Sequence, residues 1–353
     1  MKGLILCAGK GTRMRPITYS TPKMLIPVAN KPVIHYAIEA MRTAGIKQLG
    51  FVVSPDNRKD LEPVLGDGSY WKMKFEYVIQ SEQKGIAHAV LCAEDFVGED
   101  DFALYLGDNL IEEGIKKFVD DFKKNRPNAA ITLTPVDKPW HFGVAEVSKG
   151  RVISLVEKPK KPKSNLAVCG IYIFDKNVFR AAKSIKPSAR GELEITDTIS
   201  HMLKSGLSVM PHILNGWWRD TGQKSDMLEA NRSVLNSIKR SVKGDVDDKS
   251  AIKGNVRIEK GAVIKRSVIE GPSVVGRGAR IIDSQIGPFS SIDDNVLIER
   301  SCVADSIIME DTQIVGFGHR IEDSLIGNKV SILGNGTNAI SVALGNMSQI
   351  EAR

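Results

Sequence analysis

The sequence predicts an α/β chain in two parts: a doubly wound, mostly parallel sheet followed by a left-handed parallel β-helix. Three observations predict it. Over roughly the first 235 residues, short apolar runs alternate with stretches of helical periodicity. From about residue 250 that periodicity is gone, and isoleucine recurs every six residues. The first apolar run, Leu4 to Cys7, also ends directly in a small glycine-rich turn with cations behind it.

The short apolar runs GLIL (3–6), LGFVV (49–53), FEYVI (75–79) and FALYL (102–106) read as buried parallel strands. Helical patterns lie between them, including Val33 to Ala44 and Ile86 to Glu94. Leu228 to Val242 reads as a helix leading out of this first domain, 1–236, into a linker, 237–249. The second domain, 250–353, is the β-helix with a C-terminal tail. Its period runs through Ile252, Ile258 and Ile264, then Ile286, Ile292 and Ile298, then Ile308 and Ile314, then Ile326 and Ile332. Such a period stacks one aliphatic residue per flat face in the core. The phase breaks between groups. His319, beside one break, has no supporting residues for acyl transfer, so this domain is read as structural, oligomerising or regulatory, and a homo-oligomer is expected.

At 353 residues and 42% hydrophobic, the chain can build two cores. No apolar run approaches bilayer-spanning length, and the N-terminus opens on a strand rather than a signal-peptide layout. A cytoplasmic protein without a membrane partner is expected. Cys7, Cys92, Cys169 and Cys302 form no Cys-x-x-Cys pair, which disfavours zinc and redox dithiol chemistry. The net charge of +7 permits nucleic acid as a partner. The densest basic cluster, Glu157 to Lys163, is broken by prolines and lacks aromatics, so no nucleic-acid groove is expected.

A buried strand ending in a glycine turn leaves backbone N–H groups pointing outward, where phosphate oxygens satisfy them. Gly9 and Gly11 fit the first two glycines of a G-x-G-x-x-G fingerprint, but Met14 stands at the third. No G-x-x-x-x-G-K-[ST] run occurs. Instead the glycines lead into T-R-x-x-P and then P-K, which places Arg13 and Lys23 behind the loop. AGKGTRMRP with TPKMLIPVANKP resembles the sugar-1-phosphate nucleotidyltransferases, and their long-form thymidylyltransferases most of all. QSEQKGIAHAV (80–90), LGDN (106–109), HFGVAEV (141–147), VEKP (156–159), GIYIF (170–174), RGELEITD (190–197), GWWRDTG (216–222) and LGNMSQIEAR (344–353) come in the family's order. The resemblance spans essentially the whole chain and implies a Rossmann-like nucleotidyltransferase fold.

Its implied chemistry is transfer of a nucleotidyl group from dTTP, or UTP, to glucose 1-phosphate, with Mg2+ as cofactor. A nucleoside triphosphate and a sugar 1-phosphate are then the partners. Leu6, Ala8, Gly9, Gly11, Thr12, Arg13 and Lys23 would bind the nucleotide. Arg13 and Lys23 would draw charge off the leaving pyrophosphate. Gln80 would donate to O4 and accept from N3–H of the base, with Gly85 letting the base approach the backbone. Asp108 and Asp220 match the metal pair; each alone reads equally as a turn residue. Asn109, Gly143, Glu157, Lys158, Tyr172 and Arg190 fall at sugar-site positions. Glu157 would take sugar hydroxyls and Lys158 the sugar phosphate. For Tyr172 a core role, and for Arg190 a salt bridge with Glu192 or Glu194, stay open.

Overall fold

The computed structural model describes residues 1–334; the motif at 344–353 lies outside the described residues. The chain forms two compact units. The first comprises Met1–Lys10, Pro22–Met24 and Ile34–Asp220; the second comprises Gly11–Thr21, Leu25–Val33 and the chain from Thr221 on. The division therefore does not fall at residue 236.

The first unit is built on a nine-stranded sheet. Its main path runs Arg151–Glu157, Gly143–Ser148, Leu166–Phe174, Phe102–Leu106, Lys2–Leu6, Gln48–Val53, Lys74–Ile79. The four apolar runs read as parallel strands are parallel to one another. Leu4 and Ile5 are fully buried, as a strand covered on both faces must be. The rest of the sheet is mixed. Leu166–Phe174 runs antiparallel to Phe102–Leu106, Gly143–Ser148 and Ala129–Pro135, and Val209–Ile213 returns parallel to the last of these. Lys149 and Gly150, both at positive φ, make the two-residue turn that forces Gly143–Ser148 and Arg151–Glu157 into a hairpin.

From Lys2–Leu6 the chain goes to Gln48–Val53 on one side and later to Phe102–Leu106 on the other. Leu6 therefore ends at the topological switch point, where open α/β sheets bind ligands. The helix expected at 33–44 is Val33–Thr43. The one expected at 86–94 is Ile86–Cys92, followed after Ala93 by Glu94–Val97. No helix among the described residues is long and apolar enough to cross a membrane.

The second unit contains a left-handed β-helix of two- and three-residue strands in three parallel sheets. One sheet stacks Ile258, Val275, Ile292, Ile308 and Ile326; the second Ile264, Ile281, Ile298, Ile314 and Ile332; the third Ile252, Ile269, Ile286, Val303 and Ile321. The phase breaks now have a cause. Through the first three coils the step from the second face to the third, as from Ile264 to Ile269, is one residue shorter than the others, so those coils repeat at 17 residues. A serine ladder keeps to that repeat: Ser284 N donates to Ser267 Oγ (3.0 Å) and Ser301 N to Ser284 Oγ (3.2 Å).

The exit helix is Lys224–Leu235, shorter than the 228–242 expected. Ser241–Val242 and Asp245–Val246 already pair as β-helix strands with Arg257–Ile258 and Val263–Ile264, inside the segment read as a linker. Ser237, Ser241, Val242 and Gly244 are weak helix formers, so the helix does not extend through them. Asn231 on this helix is buried. Its Oδ1 accepts from Ala29 N (2.8 Å) and Ser291 Oγ (2.7 Å), and its Nδ2 donates to Phe289 O (3.0 Å). Arg232 pairs with Asp305 (Nε to Oδ1, 2.7 Å), and Asn30 Nδ2 donates to Ile292 O. These bonds seat residues 25–33 and the exit helix on the β-helix.

One corner carboxyl is out of place energetically. Burial pushes Asp293 up to about 6, with Asp294 and Glu310 adding to the effect against the Asp294 N–H and Arg277. The folded value lies above the usual ~3.9. The stability this group adds is therefore complete below about pH 4 and lost as the pH rises through about 6. An Asp293→Asn protein, which keeps the oxygen that accepts from Asp294 N (2.9 Å), is expected to be about 2 kcal/mol more stable than native at pH 7.5 and no more stable at pH 4. Urea unfolding at the two values checks this.

Candidate active site

The turn after Lys2–Leu6 is held by its carbonyls. Cys7 N donates to Val52 O (2.7 Å) and Gly107 N to Leu6 O (3.0 Å). Asn57 Nδ2 then reaches Cys7 O (2.6 Å) and Gly9 O (3.1 Å), and Gln83 Nε2 reaches Ala8 O. With three successive carbonyls drawn toward side-chain amides, the N–H groups of Ala8, Gly9 and Lys10 take no hydrogen bond among the described residues. Leu6 and Ala8 are buried, Gly9 is exposed, and the space about its Cα is open. Unengaged, outward N–H groups of this kind can take an anion. Gly11, Thr12 and Arg13 belong to the second unit. Gly11 is left-handed at φ +60 and opens the short helix Thr12–Met14. Arg13 is exposed beside Gly222, where a Cβ would stand 3.0 Å from its Nη2.

Asp108 lies just beyond the strand Phe102–Leu106. Its Oδ2 is 2.6 Å from Nζ of Lys23, which is itself buried, and its Oδ1 accepts from Asn109 Nδ2 at 2.8 Å. Burial works to raise the Asp108 carboxyl, but the Lys23 ammonium and the Asn109 amide outweigh it and hold the group below its ordinary range. Lys23 is thus neither a surface cation nor a bare phosphate contact; it is half of a buried ion pair. Asn109 is buried and bridging, since its Oδ1 accepts from Trp218 Nε1 at 2.6 Å. Asp220 ends the strand Trp218–Asp220 directly opposite Asn109. Asp108, in the turn just before the strand Asn109–Ile111, is thus one residue along the chain from the position that pairs with Asp220. Hard oxygen donors from one or two carboxylates are what Mg2+ takes from a protein, the remainder coming from water and phosphate, so the donor set fits that ion.

A second group lies on the hairpin Gly143–Ser148/Arg151–Glu157. Glu157 is opposite Gly143. A Cβ on Gly143 would stand 2.7 Å from the Thr196 methyl and 3.2 Å from Glu157 Oε2, so glycine clears room for the carboxylate. Thr196 Oγ1 donates to Glu157 Oε2 (3.2 Å). Burial and then Glu194 raise the Glu157 carboxyl, against Lys158, Arg190 and Thr196. Lys158 is left-handed at φ +41, with its N–H on Phe142 O (3.0 Å) and its Nζ 3.9 Å from Glu157. Such a backbone in a non-glycine residue is uncommon and is held by its surroundings. Arg190 bonds Glu194 through Nη2 (2.8 and 2.9 Å) and Nε (3.1 Å), the salt-bridge alternative, and stands 3.5 Å from Glu157. Tyr172 is a core residue stacked on Phe174, and its phenol is raised by burial and by Glu157.

Trp218 joins the two groups. Its indole N–H holds Asn109, and its ring meets Phe142 edge-on at 5.3 Å. Phe142 in turn accepts from Lys158 N. The strand Leu166–Phe174 touches both groups as well: a Cβ on Gly170 would stand 3.1 Å from Asn109 Oδ1, and Val168 on the same strand is the residue beside Gly143. A third group is Gln80, Gly85 and His88. Gly85, at φ +100, passes so close to Leu193 that a Cβ would stand 2.5 Å from its carbonyl oxygen. Gln80 Nε2 lies 3.3 Å from Gly85 O and 3.0 Å from His88 Nδ1. Both amide hydrogens are therefore used inside the fold, and the expected donation from Gln80 to base O4 is not available.

Residues 2–237 match the Nucleotidyl transferase family. The chain belongs to that family. The nucleotidyltransferase is 46% identical over 291 residues, 82% of each chain, to a glucose-1-phosphate thymidylyltransferase of Streptomyces griseus. Among solved structures it is similar to a proposed glucose-1-phosphate thymidylyltransferase from Bacillus anthracis in complex with a sucrose. That match has TM-score 0.63 and 38% identity and covers 68% of this chain and 97% of that one. A UDP-glucose pyrophosphorylase complexed with UDP-glucose matches at TM-score 0.60 and 28% identity, over 67% and 98%. The family resemblance read from the motifs therefore holds, with its fold. Sequence reasoning on the nucleotidyltransferase missed Asn57, Gln83 and Thr196. Only the neighbouring strand's connection, which brings Asn57 to the switch point, could have signalled the first.

Proposed function

We propose that this nucleotidyltransferase moves a thymidylyl group from dTTP to glucose 1-phosphate, giving dTDP-glucose and pyrophosphate. The observation that carries the reading is the continuous path Lys23–Asp108–Asn109–Trp218–Phe142–Lys158. It ties a phosphate-facing ion pair to a carboxylate and an ammonium suited to a phosphorylated sugar.

The cradle N–H groups at residues 8–10 hold triphosphate oxygens, with Lys23 assigned to the same charge. Glu157 accepts from sugar hydroxyls, and Lys158 holds the sugar phosphate against the repulsion of two anions. An oxygen of that phosphate attacks the α-phosphorus in line; the new P–O bond forms as the bond to the β-phosphate oxygen breaks and pyrophosphate leaves. Asp108 and Asp220 would hold Mg2+, which when bound would neutralise phosphate charge.

UTP is the second reading, favoured by the similarity to the UDP-glucose pyrophosphorylase. A pyrophosphate-release panel of four nucleoside triphosphates against several sugar 1-phosphates tests both. Highest kcat/KM with dTTP and glucose 1-phosphate is expected. A UTP optimum selects the second reading, and no release with any pair would leave a ligand-sensing member of the fold.

A further inference from the structure

We propose that His88 is a positioning residue that fixes which end of the Gln80 amide faces the nucleotide base, so that the site reads a ring N–H. The inference rests on the assignment of Gln80 to the base.

Gln80 is 4% exposed, and its backbone is pinned to Val53 O at 2.8 Å. Its amide end faces two groups. Gly85 O, at 3.3 Å, carries only lone pairs, so the atom facing it is the amide nitrogen. That carbonyl is itself held in place: Leu193 N bonds Lys84 O (2.7 Å) and Ala87 N bonds Leu193 O (3.0 Å), on either side of Gly85. With nitrogen there, His88 Nδ1 at 3.0 Å must offer a lone pair, which puts the imidazole proton on Nε2. Nε2 faces Cys92 Sγ at 4.0 Å, four residues along the same helix. Burial pushes the Cys92 thiol up, so the sulfur stays neutral and accepts weakly.

The circuit closes in one sense only: Nε2–H of His88 to sulfur, and the two amide hydrogens of Gln80 to Nδ1 and to Gly85 O. Among the described residues, no hydrogen bond of the fold takes Gln80 Oε1. The amide therefore offers the base an acceptor. N3–H of thymine or uracil satisfies it, whereas N3 of cytosine presents a lone pair and is repelled. Gly85 O sets the amide from one side; His88 is the second constraint, and without it the amide can rotate.

The test measures pyrophosphate release and calorimetric nucleotide affinity for UTP, dTTP and CTP in His88→Leu, His88→Asn and Gln80→Ala proteins. Losing one neutral hydrogen bond is worth about 3- to 10-fold. His88→Leu is expected to raise KM and Kd for UTP and dTTP by that factor and to cut the preference over CTP similarly. Its kcat, and its KM for glucose 1-phosphate, should stay within about twofold. His88→Asn, whose Oδ1 accepts in place of Nδ1, should recover most of the preference. Native preference in His88→Leu, or His88→Asn no better than His88→Leu, would overturn the inference. Gln80→Ala separates the two levels: if it leaves nucleotide KM unchanged, the base assignment itself fails. Absence of turnover with the affinity ratios intact would sink only the transferase reading.

Discussion

Asp108→Asn is expected to slow pyrophosphate release by about 10^3-fold and to destabilise the protein at the same time. On the proposed reading the rate loss would come from removing one of the two carboxylates that would hold Mg2+ beside the phosphates, where charge stabilisation is worth several kcal/mol and each ~1.4 kcal/mol is tenfold. The stability loss has a separate origin. Lys23 is 7% exposed, and its Nζ lies 2.6 Å from Asp108 Oδ2. An amide at residue 108 leaves that ammonium buried beside a neutral group, a change that costs about 3–5 kcal/mol. A Lys23→Met/Asp108→Asn double variant should recover most of the stability and none of the activity. Urea unfolding and single-turnover assays, run on both proteins, separate the two effects. Turnover near native in Asp108→Asn would remove Asp108 from the chemistry.

The second large effect is predicted within the second unit. Asn231→Ala should lower stability by about 3 kcal/mol. Truncation strands Ala29 N–H and Phe289 C=O, both previously bonded to the Asn231 amide, and takes the acceptor from Ser291 Oγ. Each unsatisfied buried group costs ~1–3 kcal/mol. Ser291→Ala, which removes only one of the bonds, should cost about 1 kcal/mol. Equal losses in the two variants would show that Asn231 acts by its bulk and not through its bonds. Thermal unfolding with both proteins at one concentration reads the difference.

Much of the fold was legible because its signals are local. Four largely apolar runs announce parallel strands, and a row of isoleucines at fixed spacing announces a β-helix core. What was not legible depends on partners distant in sequence. Lys23 and Asp108 are 85 residues apart, and nothing near either predicts a buried pair. Asn57 and Gln83 act on the loop's carbonyls, so they belong to no loop motif. The β-helix begins earlier than its period because Ser241–Val242 and Asp245–Val246 are too short to show one. The antiparallel half of the sheet turns on Lys149–Gly150, a short signal beside longer apolar runs. Within the site, residue types were easier to place than their bonds. Gln80 was assigned to the base, yet which of its atoms is left for a ligand depends on His88.

The interleaving of the two units along the chain has a practical reading for anyone recombining this protein with a relative. A crossover at one point near residue 236 would join a foreign β-helix to native segments 11–21 and 25–33. The second of those segments meets the exit helix through Asn231 and the β-helix through Asn30 and Arg257. A chimera that respects the physical boundary carries both short segments together with everything from Thr221 onward, as a three-piece exchange.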